Sequence, residues 1–486
     1  MKLLRAFAFA TVVLLTSAGV VTAQSWQPLT HQPTFTAGQA LLLTDGTVLV
    51  HHEDPNDGFS DWYKLTPDIN GSYVNGTWSQ VASLASNYGP LFFASAVLAD
   101  GKVIVEGGEQ NFAQYVWTTM GAIYDPIANT WTSINPPSGW GTIGDASGIV
   151  LANKTFMLAN CCTRQQALFN ESNMTWTATG TGKFDENDEE GWVLLPNGKV
   201  LAVDAYTDLD DPTGTNSELY DPTTGSWSTA GSTIAQLWDP HGSFEEGPGV
   251  LRPDGTVFWT GANGAGPGHT SVYNIHTLTW TPGPNFPGNL DVADGPAALL
   301  PDGNVLVSAS PGIFQNGTEF FEWNGASLNQ VPATPNSPTN SSWYGRMLVL
   351  PTGQVLYTDG SNDVQIYTAV GNPYPRLAPT ALIITSGFHR GQTYRLFGNK
   401  FNGASQTNFY GDDAQAATNY PLVRLVNRST GHVFYCRTHD HSTMAVGFEG
   451  PTYTYFDVPA NMESGASYLE VVVNGIASRQ YLVGVL

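Results

Sequence analysis

Ala96-Val97-Leu98-Ala99-Asp100-Gly101-Lys102-Val103-Ile104-Val105 decides the fold. Two β-rich apolar runs flank an Asp-Gly pair. Asx-Gly between such runs is a strong hairpin signal, because glycine accepts positive φ without steric cost. Asx-Gly recurs at Asp45-Gly46, Asn197-Gly198, Asp254-Gly255 and Asp302-Gly303, and Asn153-Lys154 and Thr352-Gly353 hold the equivalent place. Downstream of several turns comes an aromatic–Asp/Asn segment and then a Trp. Examples are Tyr124-Asp125-Pro126 with Trp131, Phe169-Asn170 with Trp176, Tyr220-Asp221-Pro222 with Trp227, and Tyr273-Asn274 with Trp280. The turns fall roughly fifty residues apart, the length of four antiparallel strands.

That period is the kelch period, and seven turns imply seven propeller blades. The last unit has Tyr367 but no following Trp. Ser25-Trp26-Gln27-Pro28-Leu29 reads as the missing fourth strand, so the N-terminal segment is expected to close blade seven. Closure removes the sheet edges that would otherwise template aggregation. The sixth unit departs from the pattern, with Leu328 where Trp is expected. The period stops near Pro375-Arg376-Leu377. Beyond it, Gly391-Gln392-Thr393-Tyr394-Arg395-Leu396 and Leu469-Glu470-Val471-Val472-Val473 read as sandwich strands. The expected fold is therefore all-β. Residues 1–23 are a signal peptide, 24–376 a seven-bladed kelch β-propeller, and 377–486 an immunoglobulin-like β-sandwich.

The leader carries Lys2 and Arg5, an apolar stretch, and Val21-Thr22-Ala23 as a small-residue cleavage site. A secreted, extracellular protein follows. No later segment is apolar for long enough to span a bilayer. With 18 basic and 41 acidic residues, the formal charge is −23. Such a surface repels nucleic acid and anionic membranes, and excludes both as partners. A monomer is expected. Three cysteines are too few for a disulfide scaffold. Cys161 and Cys162 can bridge to each other, one of them can bridge to Cys436, or all can stay buried thiols. Asn-x-Ser/Thr sequons, as at Asn75 and Asn340, mark a glycoprotein if the host glycosylates what it secretes.

Nine residues before each turn glycine, or its equivalent, lies an equivalent slot. The slots read Ala37, Phe92, Asp145, Glu189, Glu246, Asp294 and Tyr344. In a closed ring these positions converge on one axis. At blade four, Glu189 and Glu190 compete for the slot.

The arrangement resembles the galactose oxidase and glyoxal oxidase group of secreted proteins. The resemblance rests on the blade turns, on Tyr344 before Met347-Leu348-Val349-Leu350-Pro351, and on Thr438-His439. It implies a copper ion held by a cysteine-crosslinked tyrosine, a second tyrosine and two histidines. In blade order the cysteine falls on Phe92 and the crosslinked tyrosine on Asp145. The second tyrosine matches Tyr344, the histidine after it is Gly345, and a sandwich-loop histidine looks like His439. Phenylalanine forms no thioether and aspartate carries no phenoxyl radical, so no Cys-Tyr cofactor and no radical copper chemistry is expected.

Acids replace the redox centre. Asp145, Glu189, Glu246 and Asp294 are candidate ligands for a divalent metal ion. Clustered carboxylates with few cations suit Ca²⁺, Mg²⁺ or Mn²⁺. His439 and His441, a His-x-His pair that a strand would point to one side, are candidates to join them. With Phe92 and Tyr344, the same acids are candidates for binding a carbohydrate, or a small polyol or aldehyde. Sugar C–H faces stack on rings while hydroxyls bond to acids. Glu246, Asp294 and Tyr344 are the catalytic candidates. Acids at strand starts also accept backbone N–H groups and tie blades together without any ligand. Three functions stay open: a metal- or carbohydrate-binding propeller, an oxidoreductase with a redesigned metal centre, and a hydrolase or lyase using paired carboxylates.

Overall fold

The computed structural model describes residues 24–54, 57–205, 214–382 and 385–486. The leader expected at 1–23 lies outside the described residues. Among the described residues the strands assemble into seven four-stranded antiparallel units, one of them extended by two further strands, a small three-stranded sheet and a larger nine-stranded sheet. Blade two shows the unit: Ala94–Val97, Val103–Glu106, Gly121–Asp125 and Thr130–Ile134. Its first two strands pair around the Asp100-Gly101 turn, with Ala96 opposite Ile104 and Val97 opposite Val103. Both are buried throughout, because the innermost strands are covered on each face by neighbouring blades.

The innermost strands begin at Ala37, Ala94, Gly148, Trp192, Glu246, Ala297 and Arg346. Each packs against the next, and the last packs against the first, so the ring is closed. Ser25–Pro28 forms the outer strand of blade seven, pairing with Gln365–Thr368. Trp26 anchors it between Phe320, Tyr357 and Tyr367 at 4.9, 5.4 and 4.9 Å. The outer-strand tryptophans also join neighbouring blades. Trp131 Nε1 donates to Ala82 O at 2.8 Å, Trp176 to Asn135 O at 2.8 Å, and Trp280 to Ser217 Oγ at 2.9 Å. A repeated Trp therefore gives both a large buried ring and a directed polar link. Blade six, with Leu328, has no such link from that position.

From Thr380–Leu382 onward the strands form a sandwich whose two sheets share Val433–His439. Its own core includes Phe388, Leu396, Val423, Leu425, Phe456 and Val471. The shared strand packs on the hairpin-turn end of the ring. Thr438 N donates to Thr44 O at 3.1 Å, and Arg437 Nη2 to Asp100 O at 2.7 Å.

One sandwich segment threads the ring. Asn408–Phe409 adds a short antiparallel strand on the inner edge of blade six, pairing with Ala298 and Ala297. Gln406 Oε1 accepts Leu194 N at 3.0 Å, and Asn408 Oδ1 accepts Val349 N at 2.8 Å. Further along, Asp412 O accepts Ser147 Oγ at 2.8 Å, and Ala414 O accepts Gln39 Nε2 at 3.0 Å. The innermost strands present unpaired N–H and C=O groups to the axis, and buried backbone polar groups need partners. A polar segment running up the axis supplies them.

Candidate functional site

The threaded segment emerges at the slot end, where it delivers two acids, Asp412 and Asp413. Carboxylate oxygens of Asp145, Asp412 and Asp413 lie within 4.8 Å of one another. Those of Glu189, Glu245 and Asp294 do the same. The local backbone aims them. Three slot residues take the left-handed region: Phe92 (φ 53°), Glu189 (φ 55°) and Asp294 (φ 49°). Non-glycine residues held there are strained, and such positions concentrate at functional sites. Gly411 is fixed by the crowding. A Cβ on it would stand 2.0 Å from Asp294 Oδ1, which would have to move, and in a tight contact of 3.2 Å with Glu246 O.

Four of the six acids are buried, Asp145 and Glu189 are half-buried, and the cluster is poorly compensated. Asp413 is 1 % exposed, Asp412 2 %, Glu245 8 % and Asp294 9 %. Both carboxylate oxygens of Asp413 lack a hydrogen-bond partner, as do Asp145 Oδ1, Asp412 Oδ2 and Glu245 Oε2. Burial pushes all six carboxyls upward, and the neighbouring acids push most of them further. Asp412, which accepts a backbone N–H from Asp413, rises only to about 6. Arg346 is buried nearby, but its Nη1 donates to Trp343 O and Gly345 O at 2.8 and 2.9 Å. Its guanidinium lies over the Tyr410 ring at 3.9 Å. It therefore favours the ionised forms of Asp294 and Asp413 only from a distance.

An aromatic wall stands beside the acids. Phe92 and Trp343 are 5.8 Å apart, Trp343 and Tyr344 4.0 Å, and Trp343 and Phe314 5.6 Å. Phe92, Trp343, Tyr344, Glu53 and Arg346 line one narrow recess.

Of the residues expected at the axis, the structure brings Asp145, Glu189 and Asp294 into the two carboxylate groups, with Phe92 and Tyr344 on the wall. Glu246 is a correction. Its Oε1 accepts Gly191 N at 2.7 Å, and Glu245 takes the expected place. The cause is the register shift between Glu246 and Gly249, since adjacent residues of a strand face opposite ways. At blade four the competition resolves the other way. Glu190 turns to Lys183 at 2.7 Å, leaving Glu189 at the axis.

His439 and His441 are the second correction. His441 N donates to Ala99 O at 3.1 Å, which places it beside the Asp100-Gly101 turn, at the opposite end of the ring. Its Nδ1 pairs with Thr454 Oγ1 at 2.9 Å, while His439 Nδ1 pairs with Asp440 at 2.8 Å. The segment that reaches the slot end comes earlier in the sandwich than the one expected. Its signal was Gly411-Asp412-Asp413, inside a stretch that does not alternate like its surroundings.

His51 sits between Glu53 at 2.9 Å and Phe59 O at 2.7 Å. Cys161 and Cys162 form a disulfide beside Asp188, and Cys436 is a buried free thiol.

No protein-family model matches the chain, and no curated protein matches it. Solved structures do match. A fungal alcohol oxidase of the AA5 family, in complex with copper, is 15 % identical with a TM-score of 0.54, over 96 % of this chain and 100 % of that one. A streptogramin B lyase is 8 % identical with a TM-score of 0.48, over 71 % and 97 %. The extracellular domain of the hybrid two-component system BT4673 of B. thetaiotaomicron is 11 % identical with a TM-score of 0.47, over 96 % and 59 %. The alcohol oxidase shows that propeller plus sandwich is a shared fold, and at this identity the likeness is one of fold alone.

A copper-radical centre does not fit these residues. The positions to which the resemblance assigns the thioether hold Phe92 and Asp145, and the histidine candidates lie at the far end of the ring. The donors present are carboxylate oxygens, which suit Mg²⁺, Ca²⁺ or Mn²⁺ better than copper. Among the described residues no helix is long and apolar enough to cross a membrane.

Proposed function

We propose that the axial end binds divalent metal through oxygen donors and presents it to a polyhydroxylated ligand, a carbohydrate or a small polyol or aldehyde. The observation that carries this reading is the convergence of six carboxylates, five of whose oxygens on Asp145, Asp412, Asp413 and Glu245 are buried without a partner. Buried polar atoms are normally satisfied, and a buried anion needs a cation or a proton. A hard cation answers both needs. Phe92, Trp343, Tyr344 and Phe314 then offer faces on which sugar C–H bonds stack, while hydroxyls complete the metal's shell. The leader sequence supports action outside the cell, where millimolar-range calcium sites occur.

The test is calorimetric titration of chelator-stripped protein with Ca²⁺, Mg²⁺ and Mn²⁺, beside an Asp413→Asn variant. Saturable binding of at least one ion, weakened ten-fold or more in the variant, supports the reading. No heat and no shift in melting temperature with any of the three would refute it. A glycan array probed with the metal-loaded protein then tests the ligand class.

A further inference from the structure

We infer that the axial mouth is a two-cation centre, with one divalent ion in each carboxylate triad. The inference rests on the metal-binding reading above and adds a stoichiometry and an arrangement to it. The oxygens of the six acids fall into two sets, Asp145/Asp412/Asp413 and Glu189/Glu245/Asp294, each closing within 4.8 Å. Oxygens no farther apart than this can share one ion per set. Oxygens bound at about 2.3–2.6 Å on opposite sides of a calcium ion lie about 5 Å apart.

Each set also has its own sign of a missing partner. In the first, Asp412 and Asp413, both at least 98 % buried, have bare oxygens directed among the other acids. In the second, Glu245 is 92 % buried and its Oε2 is bare. The two sets are neighbours joined by one turn. Gly411 lies against Asp294 of the second set, and the next two residues belong to the first. Charge favours two ions over one. Arg346, the nearby cation, is shared with Glu53, and Glu109, Asp188 and Glu246 add negative charge around the six acids, so a single divalent ion leaves most of the charge uncompensated. The other buried cation on this side, Lys183, is held by Glu190, Asp204 and Glu218. Two ions side by side are suited to holding adjacent hydroxyls of one polyol.

The experiment is equilibrium dialysis of the stripped full chain against Mn²⁺ at 0.15 M salt, read by elemental analysis and electron paramagnetic resonance. Two pairs of substitutions accompany it: Asp412→Asn with Asp413→Asn, and Glu189→Gln with Glu245→Gln. Circular dichroism in chelator checks that each retains the fold. The expected result is two Mn²⁺ per chain, a spin-coupled spectrum, and one uncoupled ion in either variant. A single ion that both pairs abolish would overturn the two-cation centre while leaving the metal-binding reading intact. No bound ion in the parent overturns both. Two ions indifferent to both pairs place the binding elsewhere, and also overturn the inference.

Discussion

Asp413 is the residue on which the site turns. Its carboxylate is buried, without hydrogen bonds, and faces Asp145 and Asp412. In the absence of a cation, like charges this close raise one another's pKa and oppose folding. Removing one charge then has opposite effects in two conditions. Asp145→Asn is expected to raise the melting temperature in chelator, because burial and the neighbouring acids hold the Asp145 carboxyl well above its ordinary range. In saturating divalent metal the same variant should melt lower than the parent, because a ligand is lost. Melting curves with and without metal check both signs. Gly411 gives a steric counterpart. Gly411→Ala puts a methyl on Asp294 Oδ1. It should cost about 1–3 kcal/mol and weaken metal binding, as read by denaturant unfolding and titration.

At the scale of the element, blade four contains a buried network that the ring needs and the mouth does not use. Lys183 Nζ lies 2.7 Å from Glu190, 3.3 Å from Asp204 and 2.5 Å from Glu218, all fully buried. Lys183→Met keeps the volume but leaves three carboxylates without their cation. A loss of about 3–5 kcal/mol in chemical denaturation is expected. The network also sets a pH dependence. Burial raises Asp204 to about 7 from its ordinary 3.8, with Lys183 opposing the rise. The folded state therefore holds a proton between about pH 4 and 7 that the unfolded chain has released. Stability from this group is full below pH 4 and is lost as pH rises through 7. Asp204→Asn should flatten that part of the stability–pH profile. Blade seven depends on a strand from the other end of the chain. Trp26→Ala removes a ring packed on Phe320, Tyr357 and Tyr367. A cost of about 2–3 kcal/mol, with faster proteolysis at the N-terminus, is the expected outcome.

At the scale of the molecule, the repeats made the architecture legible. Asx-Gly turns and the Trp signatures report local chemistry that every blade must satisfy, so counting them counted blades. The closing strand at Ser25–Pro28 was legible for the same reason, because its Trp completed a unit that lacked one. The site was legible only where it follows the repeat. Asp145, Glu189 and Asp294 are blade residues and fell in register. Glu245 was missed because a local register shift exchanged it for Glu246, and no local propensity announces a one-residue shift. Asp412 and Asp413 were missed because they come from a segment that pairs across the whole ring. The need for such a segment arises only once seven strand edges face a common axis. His439 and His441 show the reverse error. Their spacing suits metal ligation, but the strand that ends at His439 packs on the turn end, and His441 follows it there.

The central claim is that a closed ring and a threaded segment build one oxygen-lined cation site. Anomalous diffraction from crystals equilibrated with Mn²⁺ tests it most directly. The account predicts strong peaks on the axis, among Asp145, Asp412 and Asp413 and among Glu189, Glu245 and Asp294. A map with no axial peak, or with peaks confined to exposed surface acids, would contradict it.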